Sequence, residues 1–90
     1  TISVGSFEIA NGCLVFRDTA RRMFLPVLPE GTKVEGQGTD ARVVTPMGET
    51  LATVGEQVRI RGGEGHYGPA EPSARSSCPK QQILLEGKRG

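Results

Sequence analysis

The chain has 90 residues, 36% of them hydrophobic with no Trp, and 11 Lys and Arg against 10 Asp and Glu leave a formal charge of +1. That length makes one domain, residues 1–90, with a thin core that hides roughly 63% of the unfolded surface. The near-neutral charge argues against a general polyanion binder, and the longest apolar run, Met23 to Leu28, falls far short of the ~20 residues that span a bilayer. No leader peptide is visible at Thr1, and its absence says nothing about export.

Apolar positions recur with a period of two rather than 3.6, which predicts strands throughout. Ile2 and Val4 share one phase and Phe7 and Ile9 the other, so a bulge is expected at Gly5-Ser6 in a bent first strand. Asn11-Gly12 reads as a tight hairpin turn, because both residue types tolerate positive φ. The returning strand, Cys13 to Arg17, sets Leu14 and Phe16 on one face and Cys13 and Val15 on the other. A polar turn, Asp18 to Arg22, leads into Met23 to Leu28, where Pro26 cannot donate to a ladder and is expected at an edge or bulge. Short strands follow at Lys33 to Glu35, Ala41 to Thr45 and Thr50 to Val54, divided by turns at Gly36-Gln37-Gly38 and Pro46 to Glu49. Gln57 to Arg61 alternates cleanly, with Val58 and Ile60 inward and Arg59 and Arg61 outward.

Gly62 to Lys80 breaks this rhythm and reads as one long loop before the last strand, Gln82 to Glu86, with 87–90 a frayed basic tail. Many short, closely spaced strands without a convincing helix predict an all-β fold. A closed sheet hides edges that so small a domain could hardly cover otherwise. The expected architecture is a small five- to six-stranded barrel of the OB-like kind.

Gly63-Glu64-Gly65-His66-Tyr67-Gly68 fits the G-x-G-x-x-G pattern. A dinucleotide site needs those glycines to open a helix within a βαβ unit. Pro69 and Pro72 follow instead, so nucleotide binding is not expected. His66 is the single histidine, which excludes a His pair within one chain. A Cys–His nucleophile with Cys13 or Cys78 would lack an orienting third group. Arg17, Arg21 and Arg22 flank one turn, and Arg59 and Arg61 share one strand face. Nucleic-acid binding would need aromatics beside them, yet Phe7, Phe16 and Phe24 belong to the core and leave only Tyr67. A solvated charged face, balanced by Glu8, Asp18 and Glu56, is the better reading. The five glutamates Glu30, Glu35, Glu49, Glu56 and Glu64 fall in turns or at strand ends and suggest no catalytic pair.

Two cysteines admit one intramolecular pairing, and Cys13 and Cys78 each stand at a strand start just after turn residues. A disulfide between them is expected. The 62–77 stretch then becomes a loop anchored near Ile60 and at Cys78, and His66, Tyr67 and Glu64 are its candidate ligand or partner contacts.

A longer pattern runs through most of the chain: Asn11-Gly12-Cys13-Leu14, Phe24-Leu25-Pro26-Val27-Leu28-Pro29-Glu30-Gly31, then Leu51-Ala52-x-Val54-Gly55-x-x-Val58, Gly62-Gly63-Glu64 and Cys78-Pro79. It resembles small exported modules of bacterial envelope lipoproteins and secreted proteins of uncharacterised function. The resemblance implies an OB-like barrel, an extracytoplasmic address and a cystine, and no catalytic residue. Val54-Gly55-Glu56-x-Val58 also resembles a turn of biotinyl and lipoyl carriers, but neither Lys33 nor Lys80 has the hairpin-tip setting of a modified lysine. The function expected is a non-enzymatic binding or interaction module without a cofactor or metal. Its partner would be a protein or a small polar ligand, nucleic acid being disfavoured, and a homo-oligomer stays open. The alternatives are an OB-type nucleic-acid or oligosaccharide binder and, last, a small hydrolase using His66.

Overall fold

The computed structural model describes residues 2–10, 12–65 and 78–89. Eight strands follow in chain order: β1 (Ile2–Ala10), β2 (Cys13–Asp18), β3 (Met23–Val27), β4 (Lys33–Glu35), β5 (Arg42–Val44), β6 (Thr50–Thr53), β7 (Gln57–Gly65) and β8 (Gln82–Arg89). Among the described residues the only helical element is one 3-10 turn at Gly38–Asp40. The protein is therefore all-β.

Five strands close a ring in the order β1-β2-β3-β8-β7, with β7 paired back onto β1. All pairs in it are antiparallel except β3 with β8. The remaining strands, β4-β5-β6, form a separate antiparallel sheet. The expected five or six strands thus become five in the ring and three outside it. That sheet is inserted between the end of β3 and the start of β7, so it sits over one end of the ring. Val43, Leu51 and Ala52 from it join Phe7, Phe16, Phe24, Val58, Ile60, Ile83 and Leu85 in one buried cluster. The Gly55 N–H donates to the Phe7 carbonyl (2.8 Å) and ties cap to ring.

Alternation along each strand divides the apolar residues between two clusters. The three phenylalanines fill the ring as expected, with Phe7 and Phe16 edge to face, centroids 5.3 Å apart. The opposite phase of β2 and β3 builds a second cluster on the outer face, where Cys13, Val15, Leu25 and Cys78 are buried against Met23 and Val27. Cys13 and Cys78 form a disulfide with Cα atoms 5.8 Å apart, inside the usual range of about 4.4–6.8 Å.

Three expectations are corrected. β1 pairs without a register shift through Gly5 and Ser6, so no bulge lies there. Gly5 occupies the inward phase, and with no side chain it makes the apolar pattern seem to change phase. A Cβ at Gly5 would collide with the Arg17 carbonyl, so β1 and β2 approach that closely only through glycine. The register shifts lie instead at Val43/Val44 and Ile60/Gly62. Gly62 to Gly65, read as the start of a loop, continues β7 and pairs with Gln82 to Leu85. The supposed tail is strand as far as Arg89. Pro26 is buried within the ring and paired with β8. Its nitrogen faces away from β8, since the Leu25 N–H beside it is the one that donates to Gln81. On that side the β2 ladder stops at Phe24, so the proline still stands at a local edge.

Candidate functional site

The end of the ring opposite the cap is formed by the start of β1, the end of β2, the start of β3, the end of β7 and the start of β8. It holds a cleft of about 430 Å³ lined by Ile2, Ser3, Asp18, Arg22, Phe24, Gly63, Glu64 and Ile83. Ser3 on β1 and Gly63 and Glu64 on β7 line it, where the same strands carry Phe7, Val58 and Ile60 deeper in the ring. Gly5 and Gly62 do not open it, because neighbouring backbone fills the place of their side chains, and Ser3 donates its hydroxyl to the Gly62 carbonyl (3.1 Å).

The β2–β3 connection is a three-residue hairpin loop in which the Arg22 carbonyl accepts from Asp18 N–H and Arg21 N–H donates to the Asp18 carbonyl, both at 3.0 Å. Such loops need a left-handed residue at the third position. Here Arg21 supplies it at φ 65°, against the usual preference for glycine. The Asp18 carboxylate holds the turn together: Oδ1 accepts the N–H groups of Ala20 (3.0 Å) and Arg22 (2.9 Å), and Oδ2 accepts Arg22 Nε (2.8 Å).

Arg22 then reaches across the mouth. Its Nη1 lies 2.9 Å from Glu64 Oε1 on β7, and its guanidinium carbon sits 5.3 Å from the centre of the Phe24 ring. One side chain thus joins two strands that β8 separates in the ring. Burial works to raise the Asp18 pKa, but the Arg22 N–H, the guanidinium and the Ala20 N–H together hold it below the ordinary 3.8. The same partnership with Asp18, and then Glu64, raises Arg22, which stays charged throughout the working pH range.

Chemically, the mouth sets guanidinium donors beside two carboxylates and a serine hydroxyl, over an apolar floor of Phe24 and Ile83. Asp18, Glu64 and Arg22 together carry one net negative charge there. Gly63 to Gly65 are strand residues, so the glycine pattern does not open a helix at this point. Among the described residues no group of three His, Cys, Asp or Glu could hold a metal ion. Also among them, no helix is long and apolar enough to cross a membrane.

Of the expected site residues, Glu64 lines this cleft and is ion-paired rather than merely solvated. His66 and Tyr67 lie outside the described residues. Sequence reasoning missed Ser3 as a site residue, and it read Asp18 and Arg22 only as mutually balancing surface charge. The i, i+4 acid–base pair flanking a turn was the available signal. The charge balance itself is as expected: Arg17 meets Glu8 at 2.8 Å and Arg22 meets Asp18 at 2.8 Å. No family model matches this chain, and neither a curated protein nor a solved structure proves similar to it.

Proposed function

We propose that this domain is a non-enzymatic binding module of a bacterial exported or envelope protein, and that the open mouth of the ring is its ligand surface. The ring order supports an OB-like architecture: three consecutive antiparallel strands, then closure through a last strand parallel to the third. An OB-type nucleic-acid binder would use the outer face of β2 and β3. That face is filled here by the apolar cluster and its cystine, which supports moving the ligand surface to the mouth. The cystine is compatible with an oxidising, extracytoplasmic compartment.

The observation that carries the reading is the Asp18–Arg22–Glu64 bridge over the cleft. Its mixed donors and acceptors and its net negative charge suit an uncharged or cationic polar ligand and repel a phosphate backbone. The test is an NMR titration of 15N-labelled protein with chitotriose, tetralysine and a heparin fragment at physiological salt. Chitotriose or tetralysine should shift the amides of Ser3, Asp18, Arg22, Gly63 and Glu64, and heparin should not. A mouth unmoved by both counts against the reading. Heparin binding that falls steeply with salt and maps to Arg59 and Arg61 would favour the nucleic-acid alternative.

A further inference from the structure

The cap sheet ends at β4, which is hydrogen-bonded to β5 on one side and to no described strand on the other. We propose that this edge pairs with the β4 edge of a second copy of the chain, in an antiparallel two-fold arrangement centred on Val34. The three residues of β4 are self-complementary in that register. Lys33 of one copy falls opposite Glu35 of the other, Val34 opposite Val34, and Glu35 opposite Lys33. Lys33 and Glu35 project from the same face, because side chains alternate along a strand. Both cross-strand ion pairs therefore form side by side, and the two valines meet on the other face.

The exposures agree with this occupant. Val34 is 44% exposed although its cross-strand neighbour Val43 is fully buried, so the apolar side of the cap sheet stops at an uncovered valine. Among the described residues Glu35 has only a long contact to Arg42, at 3.4 Å with both side chains half exposed. It lies within reach of a second cation. Edge strands that resist association often carry lysine, which repels a second copy. This edge carries opposite charges placed symmetrically about an apolar residue, which attracts one. A two-fold contact of this kind closes on itself and stops at the dimer. Three residues per copy lie far below the standard interface size, so the dissociation constant is expected on the order of 0.1–1 mM.

The experiment is sedimentation equilibrium of the wild-type protein, K33E, E35K and the K33E/E35K double variant, with thermal melts to confirm that each is folded. The wild type should dimerise, and each single swap, which leaves two like charges on the edge, should weaken dimerisation at least tenfold. The double swap should restore it. Mixing K33E with E35K should restore it as well, because a Glu-Val-Glu edge then meets a Lys-Val-Lys edge. A wild type that stays monomeric at 1 mM (about the expected dissociation constant) overturns the proposal. So does equal association of all four proteins, or a double variant and a mixture that fail to recover. Association abolished by Met47→Ser, at the most exposed large apolar side chain among the described residues, but indifferent to the swaps would place the contact elsewhere and overturn it too.

Discussion

The two ends of the ring are built from the same strands and finished in opposite ways. At the cap end, Leu51, Ala52 and Val43 drive apolar side chains into the ring. At the mouth, Ser3, Gly63 and Glu64 line an open cleft, and the Arg22 side chain bridges it. Burial of apolar area is the main stabilising term in a domain this small. Ion pairs whose side chains are 56% and 53% exposed, as Arg22 and Glu64 are, contribute about 0–1 kcal/mol. The difference teaches that one end carries stability, while the other keeps groups that stability alone does not require.

The outer cluster on β2 and β3 stands between these extremes, and it offers the largest effect. The disulfide that fastens Cys78 to it spans 65 residues, a closure that destabilises the unfolded chain by roughly 4 kcal/mol in the chain-entropy account. Cys13→Ala/Cys78→Ala should lose about that much in urea melts, a large share of the about 5–10 kcal/mol expected for such a domain. A loss below about 1 kcal/mol would mean that packing, and not the cross-link, holds this face.

At the mouth the effects should be smaller and local. Asp18→Ala removes the acceptor of two turn N–H groups and should cost about 1–2 kcal/mol. The pH dependence has a definite sign. Asp18 has a folded-state pKa below its unfolded value, so its stabilisation is complete above the unfolded pKa and disappears as pH falls through the folded one. Wild-type protein should therefore lose stability below about pH 4, and Asp18→Ala should lose less over the same window. Parallel acid limbs in the two proteins would remove Asp18 from the account.

The smallest effect has the opposite direction. Arg21 holds a left-handed conformation at φ 65°, which costs an ordinary residue about 1–2 kcal/mol, while glycine adds about 0.5–1 kcal/mol of chain entropy to the unfolded state. Arg21→Gly should therefore raise stability by about 0.5–1 kcal/mol. A destabilised variant would show that the Arg21 side chain makes a contact worth more than the strain.

What the sequence made legible was local. The period of two placed the strands, the two faces of Cys13 to Phe16 were readable although the second cluster was not expected, and the cysteines allowed one pairing. Long-range pairing was not legible. Nothing local says that β4 to β6 leave the ring, because their alternation is the same as that of the ring strands. Gly62 to Gly65 hid a strand, since glycine carries no apolar signal even where its lack of a side chain is what lets β7 meet Leu84. The Arg22–Glu64 bridge was hidden because its partners stand far apart in the chain, one before β3 and the other near the end of β7, with the cap inserted between those strands.

The division between the two ends is tested most directly by one paired measurement, urea unfolding of Leu51→Ala beside the Asp18→Asn/Arg22→Gln/Glu64→Gln triple variant. Leu51 is 2% exposed in the cap, and its truncation should cost about 2–5 kcal/mol. The triple variant keeps side-chain volume and the turn acceptor, and loses ion pairs in which Arg22 and Glu64 are more than half exposed and Asp18 is 13% exposed, so it should cost about 1 kcal/mol. A triple variant as unstable as Leu51→Ala would contradict the account, because the mouth would then be a structural plug rather than a surface kept for a ligand.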